Sequence, residues 1–152
     1  LNKFIMKKFF AFLLFINTVI LLNATTPLYY KDGVVLTQSI TKEKTVFCTA
    51  LNKNIVVWKS VVTIKNTTAQ AIQLLKPVYL KYNRGYLTNA EMSAIRIQNI
   101  GYDFSQTFKN NLTNATSVLT ANQIITNQKF FVTFEDIDLS KEAYTWDLQY
   151  VK

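Results

Sequence analysis

Tyr82-Asn83-Arg84-Gly85-Tyr86 brings two aromatic rings and a guanidinium onto one short stretch of chain. A flat ring buries the apolar face of a sugar while neighbouring donors hold its hydroxyls, so Tyr82, Arg84 and Tyr86 are candidate ligand-binding residues. The competing reading has Tyr82 ending a strand and packing inward, and Tyr86 covering a sheet edge. A second group, Glu135, Asp136 and Asp138, is the acidic cluster of the sequence. Hard cations take several carboxylate and carbonyl oxygens, which makes this a candidate calcium site, set against the plainer reading of a solvated turn. Glycosidase-like use of Asp136 and Asp138 is disfavoured, because two equally solvated strand neighbours have nothing to separate their pKa values.

The rest of the composition excludes more than it identifies. The 152 residues contain no His, one Cys, three Gly and two Pro. Zero His removes the commonest general base and zinc ligand. A single Cys excludes an internal disulfide framework and every multi-Cys cluster. No glycine-rich phosphate loop occurs. No cofactor is expected beyond the calcium considered above. The formal net charge is +8, yet the Lys residues beyond Lys31 never form a block of five or six, which describes a solvated basic surface rather than a nucleic-acid stripe.

Met6, Lys7 and Lys8 precede the apolar runs Phe9 to Ile16 and Val19 to Leu22, and Ala24 follows as a small residue. This order predicts a secretory signal peptide cut near Ala24, with Leu1 to Ile5 lying upstream of a start at Met6. Phe9 to Leu22 is shorter than the roughly 20 residues a membrane-spanning helix needs. Residues 1–24 are therefore expected to be removed, leaving 25–152 as one secreted or periplasmic domain, and the short Lys7-Lys8 region has a bacterial look. In an oxidising compartment Cys48, beside Val46 and Phe47, reads as a small buried hydrophobe. Asn66, Asn111 and Asn114 each begin an Asn-x-Ser/Thr match, which matters only in a host that glycosylates secreted chains.

Beyond Thr25, Val, Ile, Thr, Tyr and Phe dominate, apolar positions alternate, and turn residues recur. The pattern predicts strands over Val34 to Ile40, Thr45 to Ala50, Ile55 to Lys65, Ile72 to Leu75 and Val78 to Tyr82. Further strands are expected over Ser117 to Thr126, Lys129 to Phe134 and Tyr144 to Val151, with Asn127-Gln128 as a turn and Asn110 to Ser117 as a polar loop. Val56, Trp58, Val62 and Ile64 share one face, and so do Val78, Leu80 and Tyr82. Trp58 and Trp146 are assigned to the core. Pro77 implies an edge strand or a bulge. Ala90 to Asn111 reads as strand with Ile95, Ile97, Tyr102 and Phe104 inward, although Asn89 with Glu91 could start a short helix. The expected fold is all-β: a two-sheet antiparallel β-sandwich of about eight or nine strands.

Val62-Thr63-Ile64-Lys65-Asn66-Thr67-Thr68, Ala71-Ile72-Gln73-Leu74 and Val78-Tyr79-Leu80-Lys81-Tyr82 follow one another as paired strands. Phe134 to Ser140 and Asp147 follow later. Together they resemble family 3 carbohydrate-binding modules, the cellulose-binding sandwiches of cellulosome scaffolds, and more broadly secreted immunoglobulin-like sandwiches. Thr68 stands where the family has Gly, and Leu139 where it has Trp. The resemblance implies a β-sandwich and a carbohydrate ligand, and carries over no ligand-contacting residue. The expected function is a secreted, non-enzymatic binding module with an extracellular glycan or protein surface as partner and no nucleic acid. A surface-assembly or adhesin-like subunit pairing through a sheet edge is the alternative, and a hydrolase is third.

Overall fold

The computed structural model describes residues 27–113, 117–146 and 148–151. The expected signal segment 1–24 lies outside the described residues, as does Asn114. In chain order the elements are β1 (Pro27–Lys31), β2 (Val34–Cys48), β3 (Lys53–Asn66), β4 (Ile72–Leu74), β5 (Tyr79–Tyr82), α1 (Asn89–Gln98) and β6 (Lys109–Asn111). They continue with β7 (Val118–Leu119), β8 (Ile124–Phe134), β9 (Tyr144–Trp146) and β10 (Tyr150–Val151). The chain is, among the described residues, mostly antiparallel β with one short α-helix. Among the described residues no helix is long and apolar enough to cross a membrane.

One four-stranded sheet, ordered β1-β2-β3-β8, organises the molecule. It begins at the hairpin Asp32-Gly33, where both residues are left-handed (φ 51° and 81°), the geometry a two-residue turn between twisted strands requires. A Cβ on Gly33 would collide with Thr68 Cγ2, so glycine is also needed for close approach. The alternation of β3 sends Val56, Trp58, Val62 and Ile64 to one face, as expected. There they pack with Val34, Leu36 and Phe131 against Ile72, Leu74, Val78, Leu80, Tyr82, Phe108 and Leu119. These last residues come largely from two small sheets, β10-β4-β7 and β6-β5-β9. The opposite face carries Ile55, Val57 and Val132, which pack with Cys48 against Met92, Ile95, Ile100 and Phe104. Each such side chain taken out of water contributes about 1.5 to 3 kcal/mol.

The segment expected as a strand from Ala90 opens instead with α1, which corrects the all-β expectation. Thr88 is the N-cap: its hydroxyl accepts from Glu91 N (3.3 Å), and Glu91 Oε2 accepts from Thr88 N (2.7 Å). This reciprocal cap satisfies the free amides of the first turn. The helical period then turns Met92 and Ile95 to the sheet and leaves Ile97, expected inward, 86% exposed. Phe104 is buried as expected and Tyr102 half-buried.

Other boundaries also move. The two strands expected between Val34 and Ala50 are one, β2, carrying an irregularity between Lys42 and Lys44. Asn127-Gln128 is no turn: both pair with β3 inside a continuous β8, opposite Val62 and Val61. The preceding turn lies at Thr120 to Gln123, with Asn122 left-handed. Asn110, expected in a polar loop, is in β6 and buried. Pro77 marks neither an edge strand nor a bulge; it lies where the chain leaves β4, central in one small sheet, for β5, central in the other. The single strand expected from Tyr144 to Val151 divides likewise, β9 pairing with β5 and β10 with β4.

Candidate functional site

In the β6-β5-β9 sheet, β5 and the start of β6 floor a cleft of about 460 Å³. Strand alternation builds this floor. Leu80 and Tyr82 enter the core, which leaves Tyr79 and Lys81 on the other side of β5. Lys109 lies directly opposite Lys81 across the ladder, Asn111 opposite Tyr79, and Thr145 of β9 opposite Lys81 on its other flank. The walls are Asn83, Arg84, Gly85 and Leu87 on one side and Gln106, Thr107 and Phe108 on the other. Lys109 Nζ stands 3.7 Å from the centre of the Tyr79 ring, within the range at which a cation is held by an aromatic face.

The three residues expected to bind ligand have separate fates. Tyr82 borders the cleft but is a core residue only 1% exposed, so its ring offers little surface to a ligand. It packs edge-on against Phe131 and Tyr144, with centroids 5.8 and 6.3 Å apart, and its hydroxyl accepts from Gln38 Nε2 at 2.6 Å. Burial pushes that hydroxyl well above the ordinary tyrosine range. Arg84 lines the cleft. Its Nε and Nη2 donate to the two oxygens of Glu142 at 3.1 and 3.0 Å. Tyr86 also reaches Glu142, its hydroxyl 3.3 Å from Oε2, while its half-buried ring meets Phe108 edge-on at 4.5 Å. Arg84 lies over that ring at 4.9 Å. Tyr86 thus braces the cleft wall from behind.

The acidic residues do not assemble into a calcium site. The chain turns at Glu135-Asp136, ending β8. Glu135 Oε2 accepts from Asn54 Nδ2 at 2.9 Å, and Glu135 and Asp136 border an open depression with Lys53, Asn54 and Phe134. Asp138 caps a 3-10 turn at Leu139–Lys141. It accepts from Ser140 N and Oγ at 3.1 and 2.6 Å and pairs with Lys141 at 3.1 Å. The Ser140 hydrogen bond, then Lys141, holds its carboxyl below the ordinary range. Among the described residues no three His, Cys, Asp or Glu side chains gather as metal ligands.

Trp58 is buried as expected, its Nε1 donating to Thr133 Oγ1 at 2.8 Å. Trp146 is half-buried at the margin of the same core. Cys48 is buried and free. Asn66 is buried too, with Nδ2 within reach of the carbonyls of Gln70, Leu119 and Thr120. A glycan on that nitrogen is incompatible with this packing, whereas Asn111 is exposed. Sequence reasoning missed Tyr79, Lys81 and Lys109 of the cleft floor, and with them the walls at Leu87 and at residues 106–108. The alternation of Tyr79 and Lys81 against Leu80 and Tyr82 was a usable signal; nothing local placed Lys109 beside them. Compared with family models, curated proteins and solved structures, the chain gives no match.

Proposed function

We propose that the chain is a secreted, non-enzymatic β-sandwich module that binds an extracellular glycan in the cleft over β5 and β6. The observation that carries this reading is the cleft itself. Its volume of about 460 Å³ falls within the roughly 300 to 1,000 Å³ of small-ligand sites. Its Tyr79 ring shares the cleft with the Asn83 and Gln106 amides, a pairing of an apolar face with hydrogen-bonding groups that suits a pyranose. The resemblance to family 3 modules supports a sugar ligand. The sandwich reading draws support from the core shared by the four-stranded sheet and strands β4, β5 and β7. The Lys7-Lys8 and Phe9 to Leu22 pattern supports secretion.

The test is a glycan array probed with the purified full chain, followed by titration of each hit. Tyr79→Ala is expected to weaken binding about 10-fold while the melting temperature stays within about 2 °C, because the ring lies on the solvent side of β5. An array with no hit at all, charged or neutral, would refute the glycan reading.

Assembly through a sheet edge has one observation in its favour. Among the described residues β1 pairs with β2 only as far as Thr37, leaving Gln38 to Cys48 without a strand partner on that side. That edge carries Lys42, Glu43, Lys44 and an irregularity between Lys42 and Lys44, the features that discourage strand addition. Mass that grows with chain concentration would favour assembly over glycan binding.

A further inference from the structure

Lys81 and Lys109 face each other across the β5-β6 ladder. Like charges directly opposite on one sheet face repel and lower stability, so such a pair is normally relieved by a nearby carboxylate. None relieves it among the described residues. Among the described residues neither lysine forms an ion pair, and Lys109 rests instead on the Tyr79 ring. The third cation at the cleft, Arg84, is already neutralised by Glu142. Among the described residues no Asp or Glu lines the cleft. Two lysines in register on the cleft floor concentrate positive potential where a ligand would enter.

We propose that the ligand of this cleft is an acidic glycan whose carboxylates sit between Lys81 and Lys109. The proposal rests on the glycan reading above and narrows it to uronic-acid chains. A sugar carboxylate accepting from both ammonium groups forms charge-assisted hydrogen bonds and removes the repulsion the free protein carries. Tyr79 then meets an apolar ring face, and Asn83 and Gln106 serve the hydroxyls. The weak hold of an aromatic face on Lys109 leaves that side chain free to exchange the ring for the anion. An acidic peptide would use the same charges and have less use for the ring-and-amide pairing of the walls.

The experiment titrates the full chain with oligogalacturonate, alginate and hyaluronan oligosaccharides, their methyl esters, and poly-Glu. At least one acid is expected to bind 10-fold or more tightly than its ester, and to weaken as salt rises from 50 to roughly 500 mM, since these exposed charges are screened. Lys81→Gln with Lys109→Gln should weaken the acid 10-fold or more and leave the ester unchanged. The melting temperature should hold or rise. Lys81→Glu, which creates an opposite-charge pair with Lys109, should raise the melting temperature and abolish acid binding, so lost binding cannot be ascribed to lost folding.

Acid and ester binding alike, or acid binding untouched in the double variant, would overturn the charge proposal and leave the glycan reading standing. Poly-Glu binding more tightly than every glycan acid, and weakened by the double variant, would overturn it in favour of an acidic peptide. Binding of none of these, on a chain that also fails with neutral glycans, would overturn both readings.

Discussion

Arg84 and Glu142 hold each other by two parallel hydrogen bonds, 3.1 and 3.0 Å long, across 58 residues of sequence. The pair ties the loop after β5 to the segment before β9, and Tyr86 adds a third contact to the same carboxylate. The wall of the cleft is therefore fastened from outside the cleft.

Glu142→Gln should loosen that wall more than it destabilises the fold. The Arg84 side chain is 57% exposed and Glu142 23%, and solvent screens so exposed a pair. Urea unfolding should register only a small loss, while hydrogen exchange quickens at Asn83 to Leu87. Unchanged exchange there would show that the pair does not restrain the loop.

Tyr86→Ala should cost stability. Its ring packs edge-on against Phe108 and only partly faces water, so truncation should cost about 2 kcal/mol from lost burial and aromatic contact. Thermal melting of this variant beside Tyr79→Ala separates bracing ring from ligand-facing ring: the first should melt early, the second should not.

Asn66→Ala should be among the more damaging polar substitutions. The amide nitrogen serves the carbonyls of Gln70, Leu119 and Thr120, and its oxygen accepts from Thr68 N and Oγ1 at 3.0 and 2.7 Å. Removing it leaves buried polar groups unpaired, at about 2 to 3 kcal/mol. Chemical denaturation checks the value; a loss below about 0.5 kcal/mol would mean that these groups find water instead.

The alkaline limb of the stability profile should contain a contribution from Tyr82. Burial raises its hydroxyl pKa in the folded state above that of the unfolded chain, so the contribution is complete below about pH 10 and is lost as pH rises beyond it. Unfolding free energies measured from pH 8 to 11 should fall less steeply in Tyr82→Phe than in the parent. At neutral pH that variant should be about 1 kcal/mol weaker, because Gln38 loses its acceptor. Equal slopes would show that Tyr82 ionises without opening the core.

Much of the strand pattern was readable because it is local. A period of two in Val56, Trp58, Val62 and Ile64, and again in Val78, Leu80 and Tyr82, fixes which side chains share a face whatever the partner strand, and all seven are buried in one core. The same parity put Tyr82 inside, so one residue of the expected site was withdrawn by the rule that predicted its strand. The apolar setting of Cys48 likewise announced its burial.

What the tertiary structure decided is pairing. Asn127-Gln128 has turn composition, but eleven consecutive rungs with β3 hold it extended, since ladder bonds outweigh local preference. The Thr88 to Glu91 box made a helix where apolar spacing alone left strand and helix open. The cleft joins Lys81 to Lys109 and Arg84 to Glu142, residues far apart in sequence. Alternation tells a side chain which way to face; only the register of one strand on another, set by the shared core, tells it what it will face.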